Sequence, residues 1–287
     1  MTTQQSNRVN RAATGSSHQS SADEVARQAG FHTATELGDT YDARGYAVFR
    51  GVIDSDLITE ASGHIQWLEE QHPGVRPEHL GHTYMSDDPF WVRLISDDRL
   101  LDIAQQFVGP DIALFASHYI VKPPLTGQPV LWHQDAVFWP LEPMQVVTLW
   151  LAIDYSTPEN GCVRLVPGSH HREVEDIRKV SDQPNVLGAE ITVEVDERDA
   201  VDMVLAPGDV EVHHPNIIHG SLANTSPNRR AGLTIRYIPT STRIVSDEQP
   251  FPSAFWLRGE PGVNQYQQVP AFDPARHYPF RDSAVWS

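Results

Sequence analysis

The tetrapeptide Trp132-His133-Gln134-Asp135 is the stretch from which the rest of the chain can be read. Side chains alternate in direction along a strand, so on a strand His133 and Asp135 point the same way. One imidazole and one carboxylate on one face are two of the three ligands of a two-histidine, one-carboxylate metal site. That set suits non-haem Fe(II) and leaves positions open on the metal for a co-substrate and oxygen. The third ligand must come from a distant strand of the same barrel.

The sequence around this stretch has the matching texture. From about Ile112, runs rich in β-branched and aromatic residues recur between Pro/Gly turns, at 112–121, 146–153, 163–166, 191–195, 203–205, 210–213 and 233–238. Short strands at this density predict an all-β sandwich or barrel rather than alternating β and α units. Upstream, a short helical stretch starts near Ala22, and Tyr46-Ala47-Val48-Phe49 reads as a strand between Gly45 and Gly51. Asp54 is placed to cap a helix with Ile58, Ala61, Ile65 and Leu68 on one apolar stripe, ending before His72-Pro73-Gly74. A second helix is predicted over 100–107, closed by Gly109-Pro110. The expected organisation is a disordered tail over 1–21 and one domain over 22–287, with N-terminal helices packed on a double-sheet β core. The tail has no apolar segment of the kind a secretory signal needs.

Of the 287 residues 40% are hydrophobic, enough for a sizeable core. Acids outnumber bases 38 to 21, for a net charge of −17, and no Lys/Arg run exists to neutralise nucleic-acid phosphate or an anionic membrane surface. No apolar stretch approaches the ~20 residues that span a bilayer. The lone Cys162 excludes an intramolecular disulfide and any cysteine-based zinc or iron–sulfur site, and in Asn160-Gly161-Cys162-Val163 it reads as a small buried hydrophobe. A cytoplasmic protein is expected, with its oligomeric state open.

Candidates for the third ligand are His213, His214 and His219. His219 fits best, because Ile217-Ile218-His219 reads as strand and Gly220-Ser221 follow as residues of close approach. His213 and His214 precede a proline and are expected to have structural or supporting roles. A metal centre of this kind that uses 2-oxoglutarate needs a buried cation for the far carboxylate. Arg230, eleven positions after His219, opens a strand and can supply it, with the Ser221 hydroxyl sharing the carboxylate. Arg229 and Arg236 are rivals. Period two puts Arg230 and Arg236 on one side, so spacing from His219 has to favour Arg230.

The ordered set Trp132–Asp135, Asn160–His170, Pro207-Gly208-Asp209, His219-Gly220-Ser221, Asn224 and Arg230 resembles the phytanoyl-CoA dioxygenase family, which includes ectoine hydroxylases. The resemblance spans roughly Tyr46 to Tyr237. It implies a mainly β fold, a double-stranded β-helix of the cupin-like jelly-roll kind with flanking N-terminal helices. It also implies Fe(II) held by His133, Asp135 and His219, and 2-oxoglutarate held by Arg230 and Ser221. Lys122, Thr148 and Trp150 match positions that the family places beside the co-substrate, whereas His170-His171 matches a surface turn. Halogenating relatives carry a small residue where this chain has Asp135, so hydroxylation is expected.

The expected activity is therefore oxidation of a small molecule by O2, with 2-oxoglutarate converted to succinate and CO2. Trp139, Phe138 and Tyr84 are candidate substrate contacts, and the segment after Tyr237, including 251–258, is expected to help cover the site. A zinc hydrolase or a non-catalytic cupin-like binding protein using the same pocket are the rival readings. The first has no use for a buried Arg230 beside the metal, and the second need not keep all four residues.

Overall fold

A computed structural model describes residues 21–286, so residues 1–20 of the expected tail lie outside the described residues. A helix at 21–28 (α1) leads to α2 (Ala34–Arg44), β1 (Tyr46–Phe49), α3 (Ser55–Gln71), α4 (Pro89–Ile95) and α5 (Asp98–Val108). The chain then turns to β2 (Ile112–Lys122), β3 (Val130–His133), β4 (Leu141–Glu142), β5 (Val147–Ala152), β6 (Arg164–Leu165) and β7 (Ile177–Lys179). After these come β8 (Ala189–Ile191), β9 (Val201–Asp202), β10 (Val210–His213), β11 (His219–Ser221), β12 (Arg230–Pro239), β13 (Arg243–Ile244) and β14 (Phe255–Arg258).

Two antiparallel sheets make the double-stranded β-helix of a cupin-like jelly roll. The major sheet has the order β1-β10-β5-β12-β2-β14 and the minor one β3-β11-β6-β9. Two short ribbons, β13-β4 and β7-β8, flank them. Alternation along the major strands sorts the chemistry. On β12, Ala231, Leu233, Ile235 and Tyr237 join Leu149, Leu151 and Val212 in the main apolar core, together with the buried faces of α3, α4 and α5. The alternate residues of β12, Arg230, Thr234 and Arg236, line a cavity that His133, His219 and Ser221 of the minor sheet also line. Helix packing thus seals one face of the major sheet, at roughly 1.5–3 kcal/mol per buried Leu, Ile or Val, and leaves the other face free to carry polar side chains.

The helix over 55–71 forms as its sequence predicts. The Asp54 carboxylate accepts hydrogen bonds from the Asp56 and Leu57 amides, and the stripe Ile58, Ala61, Ile65 and Leu68 is buried. Some boundaries differ. The predicted strand at 191–195 is represented by β8, which ends at Ile191, and that at 203–205 by β9, followed by an isolated bridge from Leu205 to Ser156. Ile217 and Ile218 are buried core residues that precede β11 rather than belong to it. Within the segment expected to cover the site, 255–258 forms β14, which extends the edge of the major sheet beside β2 and buries Phe255 against Trp91, while Phe251 stacks on Phe115. Phe255 joins the main core, whereas Trp256 on the other face is about half exposed.

Candidate active site

β11 pairs with β3 so that His219 lies directly opposite His133, and the two rings are 4.0 Å apart between centroids. β3 ends at His133, yet Gln134 keeps an extended backbone (φ −119°, ψ 126°), which carries the alternation one step further before Asp135 opens a 3-10 turn. Gln134 is pinned there: its amide donates to the Asn216 carbonyl at 2.8 Å and its side-chain oxygen accepts from the Glu175 amide at 2.7 Å. One ligand atom from each of His133, Asp135 and His219 lies within 4.8 Å of the others, and all three residues are buried. Both histidines donate from Nδ1 to a backbone carbonyl, Leu131 at 2.9 Å and Ile217 at 3.0 Å. That fixes the tautomer and leaves each Nε2 lone pair free for a metal. Burial, with His133 and His213 alongside, pushes the His219 pKa well below its ordinary value, so the ring is neutral as a ligand must be. Burial acts to raise the Asp135 pKa, but Arg236, His133 and His213 outweigh it and hold the carboxyl well below the usual range. These donors fit a divalent metal.

The other end of the cavity has a different character. Arg230 is 1% exposed and donates to the Gly161 carbonyl from Nε (3.1 Å) and Nη2 (2.8 Å), and to the Ile120 carbonyl from Nη1 (3.3 Å). Its Nη2 also reaches Ser221 Oγ at 3.4 Å, and the guanidinium lies 5.3 Å from the Trp150 ring centroid. Two glycines make this approach possible. A Cβ on Gly232 would stand 2.1 Å from the Trp150 ring, and Gly161, at φ +77°, would bring one within 2.4 Å of the Leu222 carbonyl. Lys122, fully buried opposite Arg230 in the β2–β12 register, donates to Ser221 Oγ at 2.7 Å and to the Leu222 carbonyl. Among the described residues no carboxylate oxygen lies within 4.0 Å of a nitrogen of either Arg230 or Lys122. Burial lowers Arg230 to about 10, so it stays charged at neutral pH, and burial beside Arg230 lowers Lys122 to about 5. A buried cation with no counter-charge is matched to an anionic ligand, and the distal carboxylate of 2-oxoglutarate fits.

Other sequence candidates take other places. Thr148 Oγ1 faces Asp135 Oδ2 at 3.5 Å, so it touches the metal-binding carboxylate rather than the Arg230 cradle. Arg236, the rival arginine, stands 3.6 Å from the same oxygen and donates to His118 Nδ1 and Thr234 Oγ1. Trp139 packs on Phe115 with the Arg236 guanidinium over its ring. Phe138 is 41% exposed at the rim, its ring 6.3 Å from that of His133. Tyr84 packs at a tilt on the His72 ring against the main core and does not line the cavity. The structure adds residues that the sequence reading did not name: His118 and Ile120 on β2, Leu187 from the loop between β7 and β8, and Glu211 on β10, the buried partner of His213. Alternation back from Lys122 points to Ile120 and His118, and alternation back from His213 points to Glu211.

A jelly roll with a His-Asp-His set at one end of its cavity and an uncompensated arginine at the other defines a class, the non-haem iron oxygenases that use 2-oxoglutarate. The chain belongs to the phytanoyl-CoA dioxygenase (PhyH) family, whose description it matches over residues 39–232. It is similar to a probable alpha-ketoglutarate-dependent hypophosphite dioxygenase of Stutzerimonas stutzeri, at 33% identity over 147 residues, covering 50% of this chain and about half (51%) of that relative. It is also similar to an ectoine dioxygenase of Sphingopyxis alaskensis, at 27% identity over 262 residues, covering 80% of this chain and 85% of that one. Among solved structures, the apo form of the non-haem monooxygenase ThoJ superposes with a TM-score of 0.66 at 25% identity, covering 82% of this chain and 88% of the other. Among the described residues no helix is long and apolar enough to cross a membrane.

Proposed function

We propose that this protein is an Fe(II)- and 2-oxoglutarate-dependent hydroxylase of a small-molecule metabolite. His133, Asp135 and His219 hold the iron, while Arg230, Ser221 and Lys122 receive the distal carboxylate of 2-oxoglutarate. The observation that carries this reading is the shared cavity: three convergent metal donors, and a buried arginine and lysine that lack a carboxylate partner. The bound iron and 2-oxoglutarate supply the oxidising chemistry, with succinate and CO2 as co-products. The protein supplies the rest. Two backbone-tethered imidazoles offer their Nε2 atoms, Asp135 contributes one negative charge, and Arg230 fixes the length and direction of the keto acid. Trp150 and the apolar residues around it keep water from the cradle. With a carboxylate in the ligand set, a second anion such as chloride would be disfavoured beside the metal, which favours hydroxyl as the group delivered. The two relatives named for hypophosphite and ectoine act on small polar molecules by their names, and this supports a small metabolite over a macromolecular substrate.

The test is an anaerobic titration of the iron-loaded protein with 2-oxoglutarate. A weak visible charge-transfer band is expected, and its absence from properly metallated protein would overturn the co-substrate assignment. With the true substrate, a product heavier by one oxygen is expected, whereas a chlorinated product in chloride buffer would refute the hydroxylase reading.

A further inference from the structure

Beside the metal donors, His213 lines the cavity and is paired with the buried Glu211 behind it, and neither has an assigned task. Glu211 is fully buried and His213 is 2% exposed. Both carboxylate oxygens of Glu211 face His213 Nδ1, at 2.9 and 3.1 Å. The opposite nitrogen, Nε2, is buried, has no hydrogen-bond partner among the described residues, and lies 3.7 Å from Asp135 Oδ2. We propose that Glu211 and His213 are positioning residues for the metal-binding carboxylate: Glu211 steers the imidazole, and the imidazole holds Asp135 Oδ2 so that Oδ1 alone is offered to the iron. This rests on the iron reading above and goes beyond it.

The two oxygens of Asp135 already have different surroundings. Oδ1 is turned toward His133 Nε2, 3.5 Å away. Oδ2 faces three donors, Thr148 Oγ1 at 3.5 Å, Arg236 Nη2 at 3.6 Å and His213 Nε2 at 3.7 Å. Those three donors form one row across the major sheet, because Thr148 on β5 is paired with His213 on β10 and with Arg236 on β12. His213 therefore brackets the oxygen from the side opposite Arg236. A carboxylate only accepts hydrogen bonds, so Glu211 sets the ring by accepting from Nδ1 and leaves Nε2 turned to Asp135 Oδ2. Outer partners of this kind orient a metal ligand and tune the affinity of the site.

The experiment is anaerobic calorimetry of Fe(II) binding, without 2-oxoglutarate, to the wild-type protein and to His213→Phe, His213→Gln and Glu211→Gln, each checked for folding by circular dichroism. His213→Phe keeps a ring but offers no donor, and Fe(II) affinity should fall by about 10-fold, the usual loss when an outer partner of a ligand is removed. His213→Gln, which restores an N–H toward Asp135, should recover most of that loss. Glu211→Gln, close to isosteric, should weaken binding in the same direction by a smaller factor. Unchanged affinity in folded His213→Phe overturns the proposal, and so does an equal loss in His213→Phe and His213→Gln, which would mark a packing role. If His213→Phe does not fold, Glu211→Gln decides, with unchanged affinity again overturning it. A wild-type protein that binds no Fe(II) would instead overturn the iron reading, so the two failures are distinguishable.

Discussion

The two ends of β12 carry the same residue type on the same face and do opposite things with it. Arg230 and Arg236 both point into the cavity and both are nearly inaccessible, 1% and 8% exposed. Around Arg236 the chain has already placed a counter-charge, the Asp135 carboxylate, and it adds His118, lowered to about 3 by burial and by Arg236 and so neutral, as an acceptor. Around Arg230 it has placed carbonyls, a hydroxyl and a lysine. Carbonyl oxygens satisfy the hydrogen-bonding geometry of a guanidinium without neutralising it. The difference shows that the function of a buried arginine is set by which of its partners carries charge: Arg236 completes an internal cluster, and Arg230 is left for a ligand to complete.

The largest effect tied to this comparison is removal of the metal itself. His219→Ala takes away one of three donors whose atoms converge within 4.8 Å, and it should abolish turnover and stoichiometric Fe(II) binding. Metal content after anaerobic loading and desalting measures this. A His219→Ala protein that kept its iron would mean that the ligand set had been assigned to the wrong histidine.

The two arginines should then separate cleanly. Arg230→Ala removes the charge-assisted partner of a buried carboxylate, at roughly 2–5 kcal/mol, which is about 30-fold or more in the 2-oxoglutarate concentration needed for half-saturation. The requirement for the primary substrate should move far less. Arg236→Ala should act on the other quantity, weakening iron binding by loosening Asp135 while the 2-oxoglutarate requirement changes little. Equal effects of the two substitutions on 2-oxoglutarate would collapse the distinction.

This distinction is also where legibility in the sequence stopped. The jelly-roll texture, the His-x-Asp pair and the third histidine were readable because each follows from period two and residue type. Spacing from His219 favoured Arg230 as the ligand-binding arginine, but alternation could not separate it from Arg236, since what divides them is which backbone carbonyls and carboxylates fold around each. Glu211 was not readable and His213 was readable only as a supporting residue near a turn, because the β10 ladder that turns His213 inward and leaves His214 outside depends on pairing with β5 and β1. α4 was missed because it has seven residues and is buried on nearly every side, so it shows no helical stripe, although Asp88 and Pro89 supply a normal start.

A smaller effect reports on the charge at the Arg230 end. Lys122 is lowered to about 5 from an ordinary 10.5, by burial first and by Arg230 second. In the ligand-free protein it is therefore unprotonated near neutral pH, whereas the unfolded chain keeps it charged. Between about pH 5 and 10 this group makes ligand-free stability rise with pH, because the unfolded state binds the extra proton. A dianion seated beside it favours the ammonium, so 2-oxoglutarate binding should take up as much as about one proton near pH 7. Calorimetry in buffers of differing ionisation enthalpy measures that uptake. It should vanish below about pH 5, where Lys122 is already charged, and in Lys122→Met. Uptake that persists in Lys122→Met would assign the proton to another group.

The smallest expected effect tests the neighbour of a pocket residue. His214 follows His213 directly, yet its ring lies outside the cavity, 5.1 Å from that of His170 and 6.3 Å from that of Tyr41. Its Nδ1 accepts a hydrogen bond from the Asn216 amide at 3.0 Å, and its own amide donates to the Gly45 carbonyl. The side chain therefore braces the turn that leads into β11 and touches none of the three metal donors. His214→Ala deletes one hydrogen bond from a partly buried side chain, worth about 0.5–1.5 kcal/mol, and should lower the denaturation midpoint slightly while leaving Fe(II) affinity unchanged. Burial lowers His214 to about 4. The folded ring is thus neutral near pH 5 where the unfolded ring is charged, and the wild type should be less stable at pH 5 than at pH 7 through this group, a difference that His214→Ala removes. If His214→Ala instead lost iron while its fold persisted, the sidedness of β10 would be reversed, and the separation of the cavity row from the outer cluster of histidines would fail with it.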